Sequence, residues 1–308
     1  MQQILEFFGS IRRTLIRGLV RLCTALLGWR PLTRNVMLRK LMFDSMPKGS
    51  LLLAQTGKET FAVHVGDKAI GREIYIHGAF DLAKLEAVLR ILGEGRQNDL
   101  LIDVGANIGP ICIPAVKRRL FKKAIAFEPD PRNFDLLNAN IHLNHLGGSI
   151  DARNLALGDR DGAVVTLTLS EDNYGDHRVC VDSGTGTGSH ASRKTISVQS
   201  ETLDSQVRLA SPNNALLWMD TQGHEGFILK GAKVLLESRI PLVLEFWPAG
   251  MAGTESFPAM KRALRDAGYE YFIDLNAPAN RVALSEESLE ALYRSVGEAG
   301  TYTDILVR

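Results

Sequence analysis

From Leu100 to the end of the chain, short apolar runs alternate with segments of helical period, the pattern that a parallel sheet with crossover helices requires. Residues 100–104, 123–127, 150–154, 215–219 and 241–245 are predicted strands. Two more, at 269–275 and 304–307, close the chain around a helix at 286–296, so a doubly wound α/β sheet with an antiparallel last strand is expected. Upstream, 50–53, 61–65 and 73–76 are short and β-favouring and predict a small antiparallel platform. Residues 81–92 predict a helix, since Leu82, Leu85, Val88, Leu89 and Leu92 repeat at helical spacing before Gly93 and Gly95. Between the third and fourth sheet strands lies a long insert with alternating segments near 164–169 and 195–198. They flank a Gly-, Ser- and Thr-rich stretch, 182–194, whose composition predicts a mobile loop.

Charge adds little globally: the formal net charge is +1, without the signature of a nucleic-acid-binding surface. The exception is the N-terminus, where Arg12, Arg13, Arg17, Arg21, Arg30, Arg34, Arg39 and Lys40 face a single acid, Glu6. Ile4, Phe8, Ile11, Leu15, Leu19, Leu22 and Leu26 recur at three- and four-residue steps, giving a basic amphipathic helix. Such a helix over residues 1–30 either touches an anionic membrane surface or a partner, or packs on its own domain. No apolar run reaches the roughly 20 residues of a membrane span, and arginines interrupt any signal-peptide core. Cys23, Cys112 and Cys180 lack metal-type spacing. A cytoplasmic protein, peripheral on a membrane at most, is expected, divided into residues 1–45, 46–98 and 99–308.

The loop Asp103-Val104-Gly105-Ala106-Asn107-Ile108-Gly109 follows an apolar strand and precedes a helical segment, at the sheet edge where open α/β folds bind ligands. Glu128 ends the next strand, where a carboxylate can accept hydrogen bonds from both hydroxyls of a ribose. Both features suit adenosine. Asn107 stands where a dinucleotide fingerprint needs its second glycine, and Asp103 would repel a diphosphate while favouring a cationic amino-acid group. S-adenosylmethionine has that cation and no phosphate, so it is the expected cofactor.

These residues, with Phe127-Glu128-Pro129, Ala156-Leu157-Gly158-Asp159, Asp220-Thr221-Gln222-Gly223-His224-Glu225, Leu229-Lys230-Gly231-Ala232 and Leu244-Glu245, resemble the FkbM family of S-adenosylmethionine-dependent methyltransferases over roughly residues 70–275. The resemblance implies a seven-stranded, Rossmann-like class I methyltransferase sheet, here with an N-terminal helical and small β extension. It implies O-methylation of a hydroxyl on a glycan, glycolipid or secondary metabolite. By position it puts Asp103, Gly105, Ala106, Asn107 and Gly109 around the methionine part of the cofactor, Glu128 on its ribose and Ala156 near its adenine. Phe80 and Asp81 resemble the aromatic–acid pair that precedes the family's loop, and with Glu245 they are expected on the acceptor side.

Methyl transfer needs in-line positioning and removal of a hydroxyl proton. Asp220, His224 and Glu225 are the catalytic candidates, Asp220 doubling as a cofactor contact. His224 is preferred as general base because an unperturbed imidazole titrates near neutrality. Asp220 and Glu245 are strand-end acids that can serve without a metal, and none is expected. The family commonly reads Lys-hydrophobic-Asp-hydrophobic-Glu-Gly-His-Glu where this chain has Trp218 and Gln222, so a cation and a carboxylate are replaced together. An active enzyme with a different acceptor and a silent cofactor-binding or membrane-recruited interaction protein both fit that change, while the loop chemistry disfavours a nicotinamide oxidoreductase.

Overall fold

The computed structural model describes residues 35–93, 95–180, 193–209 and 212–308. The amphipathic helix expected over residues 1–30 and nearly all of the expected mobile loop at 182–194 fall outside these residues. The chain divides into two compact units, residues 1–48 and 49–308. In the first, helix α1 (Val36–Ser45) starts at Asn35, whose side chain accepts the Leu38 N–H at 3.0 Å and so satisfies one of the helix's unpaired donors.

The second unit begins with a hairpin, β1 (Leu51–Gln55) and β2 (Thr60–His64), paired antiparallel from Leu51 opposite His64 to Gln55 opposite Thr60. The predicted third strand at 73–76 is instead part of helix α2 (Ile70–His77). Its β-favouring Ile-Tyr-Ile run is overridden by Asp67, whose carboxylate accepts the Ala69 and Gly71 N–H groups, and by Ile70 and Ile74, which are buried one helical turn apart. Gly78, at φ 89°, ends the helix in the left-handed conformation. Helix α3 (Leu82–Leu92) follows as the leucine spacing requires.

Eight strands then form the main sheet: β3 (Leu100–Val104), β4 (Lys123–Phe127), β5 (Ile150–Arg153), β10 (Ala215–Met219), β11 (Leu242–Phe246), β12 (Tyr271–Asp274), β13 (Arg281–Ala283) and β14 (Thr303–Val307). Their order is β13-β12-β14-β11-β10-β3-β4-β5. Strands β5, β4, β3, β10 and β11 run parallel, and β14 slots between β11 and β12 antiparallel to both. Without the edge strand this is the seven-stranded class I methyltransferase arrangement, with the strand order reversing between β3 and β10. Strand β13 was not foreseen because all three of its residues are exposed and carry no alternating pattern.

Crossover helices follow the parallel strands: α4 (Cys112–Lys117), α5 (Pro131–Leu143), α7 (Glu225–Lys230) with α8 (Lys233–Glu237), and α9 (Pro248–Thr254) with α10 (Phe257–Asp266). One face of the sheet, including Ile102, Leu217, Leu244 and Ile305, packs against Ile228, Leu229, Met260 and Leu264 of α7 and α10 in the largest buried apolar cluster. Asn140 and Asn144 of α5 do what an apolar contact cannot. The Asn140 amide exchanges hydrogen bonds with the backbone of Ala62 and donates to the Ile108 carbonyl, while Asn144 exchanges bonds with the backbone of Thr60. The hairpin and the loop after β3 are therefore tied to one helix.

The insert after β5 folds into a separate four-stranded sheet, order β6-β9-β7-β8, from β6 (Ala156–Gly158), β7 (Ala163–Thr168), β8 (Arg178–Cys180) and β9 (Thr195–Thr202). Ala156, Leu167, Leu169 and Val198 form its own small core. The alternation near 164–169 and 195–198 marked β7 and β9; the three-residue strands β6 and β8 are too short to carry a period. A short helix, α6 (Leu203–Gln206), returns the chain to β10, and α11 (Glu286–Val296), closed by a capping box at Ser285 and Ser288, precedes β14.

Candidate active site

At the carboxyl end of β3 the backbone turns through Gly105 (φ 82°), Asn107 (φ 50°) and Gly109 (φ 92°). A Cβ on Gly105 would fall on the backbone carbonyl oxygen of Asp220, so glycine is needed there both for its conformation and for the close approach of two loops. The Gly105 and Ala106 N–H groups donate to the Phe127 carbonyl at 3.0 and 2.9 Å, and the Asn107 N–H donates to Glu128 Oε2 at 2.8 Å. Asp103 lies beneath the loop, 2 % exposed, accepting the Cys112 N–H at 3.1 Å. Burial pushes its pKa up to about 7.

Glu128 is buried at the end of β4 and also accepts the Asp130 N–H, at 2.8 Å, through Oε1. Burial raises its pKa to about 8 against the pull of those N–H donors. The Asn133 side chain is a third partner of the carboxylate, and the remaining acceptor direction is left for a ligand. Glu128→Gln cannot reproduce this arrangement, because an amide offers one acceptor oxygen to two backbone donors. It is expected to weaken cofactor binding by about 10–100-fold and to destabilise the loop by about 1–3 kcal/mol, readable by calorimetry and urea unfolding. Unchanged affinity would leave Glu128 as a loop brace alone.

Across the sheet's reversal point, β10 leads into a turn with Gln222 at φ 55° and Gly223 at φ 94°. Glu225 closes that turn, its Oε1 accepting both the Thr221 N–H and hydroxyl at 2.9 Å. The Gln222 side-chain nitrogen donates to Asp220 Oδ1 at 2.8 Å and to Glu245 Oε2 at 3.0 Å, occupying the space between two carboxylates. Burial, with the charges of Glu225, Asp304 and Asp81, lifts Asp220 to about 7. His224 is 7 % exposed, and its Nδ1 has no hydrogen-bond partner among the described residues. Burial drives its pKa down to about 4, which corrects the expectation that it titrates near neutrality: an imidazolium here would lose its hydration, and the charge of Asp159 does not make up the loss.

The two loops form one cleft of about 630 Å³ including its mouth. Gly105, Asn107, Glu128, Ala156, Asp220 and His224 from the expected set line it. Asp103, Ala106, Gly109, Glu225 and Glu245 are off its wall, in the layer that holds the lining residues. Phe80 instead faces a small hollow beside Phe61 and Arg118, and Asp81 pairs with Lys84 at 2.9 Å.

The Methyltransferase FkbM domain matches residues 103–271, the span that carries both loops. This chain belongs to the FkbM methyltransferase family. Among its relatives, the hexuronic acid methyltransferase AglP of Haloferax volcanii is 31% identical over 160 residues, 51% of this chain and 60% of AglP. The methyltransferase sdnD of Sordaria araneosa is 24% identical over 226 residues, 65% of this chain and 81% of sdnD. The chain thus spans less than two thirds of the length of AglP. A crystal structure of an FkbM methyltransferase from Methylobacillus flagellatus is similar at 15% identity and a TM-score of 0.41, over 68% of this chain and 44% of that one.

The FkbM family uses S-adenosylmethionine, and the cleft fits it: the Gly105–Asn107 turn and Glu128, one βαβ step further along the chain, line the same space. Sequence reasoning missed the other wall. Tyr174, Gly175, His177 and Val179 of the insert line the cleft. The Tyr174 carbonyl accepts the side-chain amides of Asn107 and Asn133, both at 2.9 Å, and His177 Nε2 lies 2.9 Å from Asp130 Oδ2 while its Nδ1 accepts the Ser170 N–H. The Arg132 guanidinium stacks over the Tyr174 ring at 5.2 Å. The only advance signal was the dense polar composition of residues 170–178 around Tyr174 and His177.

Three acids whose pKa values are raised by loss of solvent give this FkbM protein a definite pH signature. In the folded state Asp103, Glu128 and Asp220 hold protons up to about pH 7, 8 and 7, whereas unfolded they are ionised above their usual values of 3.8, 4.5 and 3.8. The native state binds more protons, so stability falls as pH rises toward 8. His224 acts the other way, chiefly below its usual 6.5, and Asp130, held to about 2 chiefly by His177 and Arg132 against its burial, has given its full contribution by then. Urea unfolding without ligand is therefore expected to show lower stability at pH 8 than at pH 6.5, a range across which the three acids outweigh the last half proton of unfolded His224. A flat or rising profile would mean that these carboxylates are ionised in the folded protein.

Proposed function

We propose that this chain is an S-adenosylmethionine-dependent O-methyltransferase acting on a hydroxyl of a glycan, glycolipid or secondary metabolite, with a sugar as the first acceptor to test. The observation that carries this reading is the presence of Glu128, the Gly105 turn and Asp220 on one cleft wall, so that a cofactor contact and a proton acceptor face the same space. The kinship with a hexuronic acid methyltransferase supports a sugar acceptor.

In this reading Glu128 binds the ribose, the Gly105–Asn107 turn takes the methionine end, and Ala156 with Leu155 and Leu157 packs against the adenine. When bound, S-adenosylmethionine supplies an already activated methyl group. The protein has then to orient the acceptor and take a proton from it. Asp220 and His224 are the titratable groups that the turn after β10 brings to the cleft. His224, neutral at pH 7, serves by hydrogen bonding to the acceptor through its unpaired Nδ1, and Glu225 serves by holding the turn.

Calorimetry should show micromolar binding of S-adenosylmethionine, a raised melting temperature in its presence, and no binding of NAD. Binding of NAD without S-adenosylmethionine would sink the reading. Isotope-labelled S-adenosylmethionine with methyl β-D-glucuronoside as acceptor then tests the chemistry: label in the sugar supports a sugar O-methyltransferase. Tight cofactor binding with no label passing to this or any other hydroxyl compound would favour the silent binding protein that Trp218 and Gln222 leave open.

A further inference from the structure

Gln222 is the one residue of the site that departs from the family's usual carboxylate and also touches the reacting wall. Its two side-chain contacts are both to carboxylates, Asp220 Oδ1 at 2.8 Å and Glu245 Oε2 at 3.0 Å. Its backbone is held at φ 55°, a left-handed conformation that a residue other than glycine adopts only under local constraint. Glu245 is 6 % exposed, on a strand that lies beside β10. Two carboxylates within reach of one nitrogen, one of them buried, cannot both carry full charge at little cost.

The charged surroundings reinforce this. Glu225 from α7, Asp304 from β14 and Asp81 before α3 all add negative charge around the pair. Lys84 is the cation that faces Glu245, but its ammonium is already engaged by Asp304 at 2.6 Å and Asp81 at 2.9 Å, and it also lies over the Tyr302 ring. Asp220 Oδ2 has no hydrogen-bond donor among the described residues, and Asp220 lines the cleft.

We propose that Gln222 is a positioning residue that bridges Asp220 and Glu245 into a carboxylate pair sharing one proton, with the proton on Glu245 and the free Asp220 oxygen presented to the acceptor hydroxyl. The inference rests on the O-methyltransferase reading for its role in turnover, though the pair itself does not depend on it. As the acceptor reacts, its hydroxyl proton passes to a lone pair of Asp220 Oδ2, the O–H bonding electrons remain on the acceptor oxygen, and the proton then leaves to water. A glutamate at position 222 would add a third acid and has no N–H to donate, so the two N–H groups of the amide are what permit one bridge to serve both carboxylates.

The test uses the full chain with carbonyl-¹³C-labelled Asp and Glu, the two signals being assigned by loss in Asp220→Asn and Glu245→Gln. In the wild-type protein the Asp220 and Glu245 signals should titrate in linked steps with one proton held between them at neutrality. Gln222→Met keeps the side-chain size without donors, and Gln222→Gly suits the left-handed backbone, so one or both retain the turn. In either, the first ionisation of the pair should move up by about one to two pH units. The acid limb of kcat/KM for methyl β-D-glucuronoside should move with it, while affinity for S-adenosylmethionine stays within about twofold. Independent titrations, or linked ones unmoved in both variants, overturn the proposal. A wild-type protein that methylates nothing defeats the enzyme reading, and the carbon signals still decide the pair.

Discussion

Asp220→Asn is expected to slow methyl transfer by about 10²–10⁴-fold, the usual worth of a positioned general base. Asparagine keeps the Oδ1 acceptor for Gln222 and the size of the side chain, so the turn should persist, but it cannot take a proton at pH 7. The same substitution should raise stability at pH 8. Folded Asp220 ionises only at about 7, against its usual 3.8, so its charge costs the native state free energy at pH 8 that a neutral amide does not. Activity lost while stability is gained is the signature of a group kept for chemistry rather than for folding. Affinity for S-adenosylmethionine separates the two roles open to Asp220: an unchanged Kd with a fallen rate marks a base, whereas a Kd raised in step with the loss of rate marks a cofactor contact. Full turnover in the variant would move proton removal to His224 or to water.

Gly105→Ala is expected to destabilise the fold by more than about 2 kcal/mol and to weaken cofactor binding by about 10²-fold or more. Two costs add. Alanine at φ 82° sits in a conformation that a Cβ disfavours, and that Cβ would lie on the Asp220 carbonyl oxygen, which is backbone and cannot rotate away. Relief requires the turn after β10 to move, yet the Asp220 N–H is bound to the Val104 carbonyl at 3.0 Å. The two halves of the cleft would therefore part together. Gly109→Ala is the control: it also sits at positive φ, at 92°, but the atoms nearest its Cβ would be those of the Ile113 and Leu137 side chains, which can shift. Thermal melts and calorimetry on both variants check the contrast, and equal effects would mean that backbone conformation alone, not the approach of the two loops, demands the glycines.

The paired departure from the family's usual motif also has a physical meaning once the fold is known. Trp218 is buried on β10 in register with Asp103. A lysine there would set an ammonium group beside that carboxylate; with tryptophan, Asp103 keeps only hydrogen-bond partners and burial lifts its pKa to about 7. The cation is gone from one side of the turn, and the replacement of a glutamate by Gln222 removes an anion from the other. The two changes cancel in net charge, with the amide taking over as a donor.

Local chemistry was enough, from sequence alone, to place the main sheet and the two loops that line the cleft. Apolar runs of five residues, the glycines around Asn107 and the strand-end Glu128 and Asp220 act over short stretches of chain, where side-chain period and turn geometry dominate. What needed the tertiary structure depends on residues far apart in sequence. Helix α2 replaces a strand because Asp67 caps it and its apolar turn is buried; the cleft's second wall comes from an insert whose short strands carry no period; His224 loses its basicity only because other elements close over it. The bridge from Gln222 to Glu245 spans 23 positions, and it exists because β10 and β11 lie side by side in the sheet. Periodicity records which face of an element is buried, but hydrogen-bond partners and desolvation are set by whatever packs against that face, and only the assembled fold decides that.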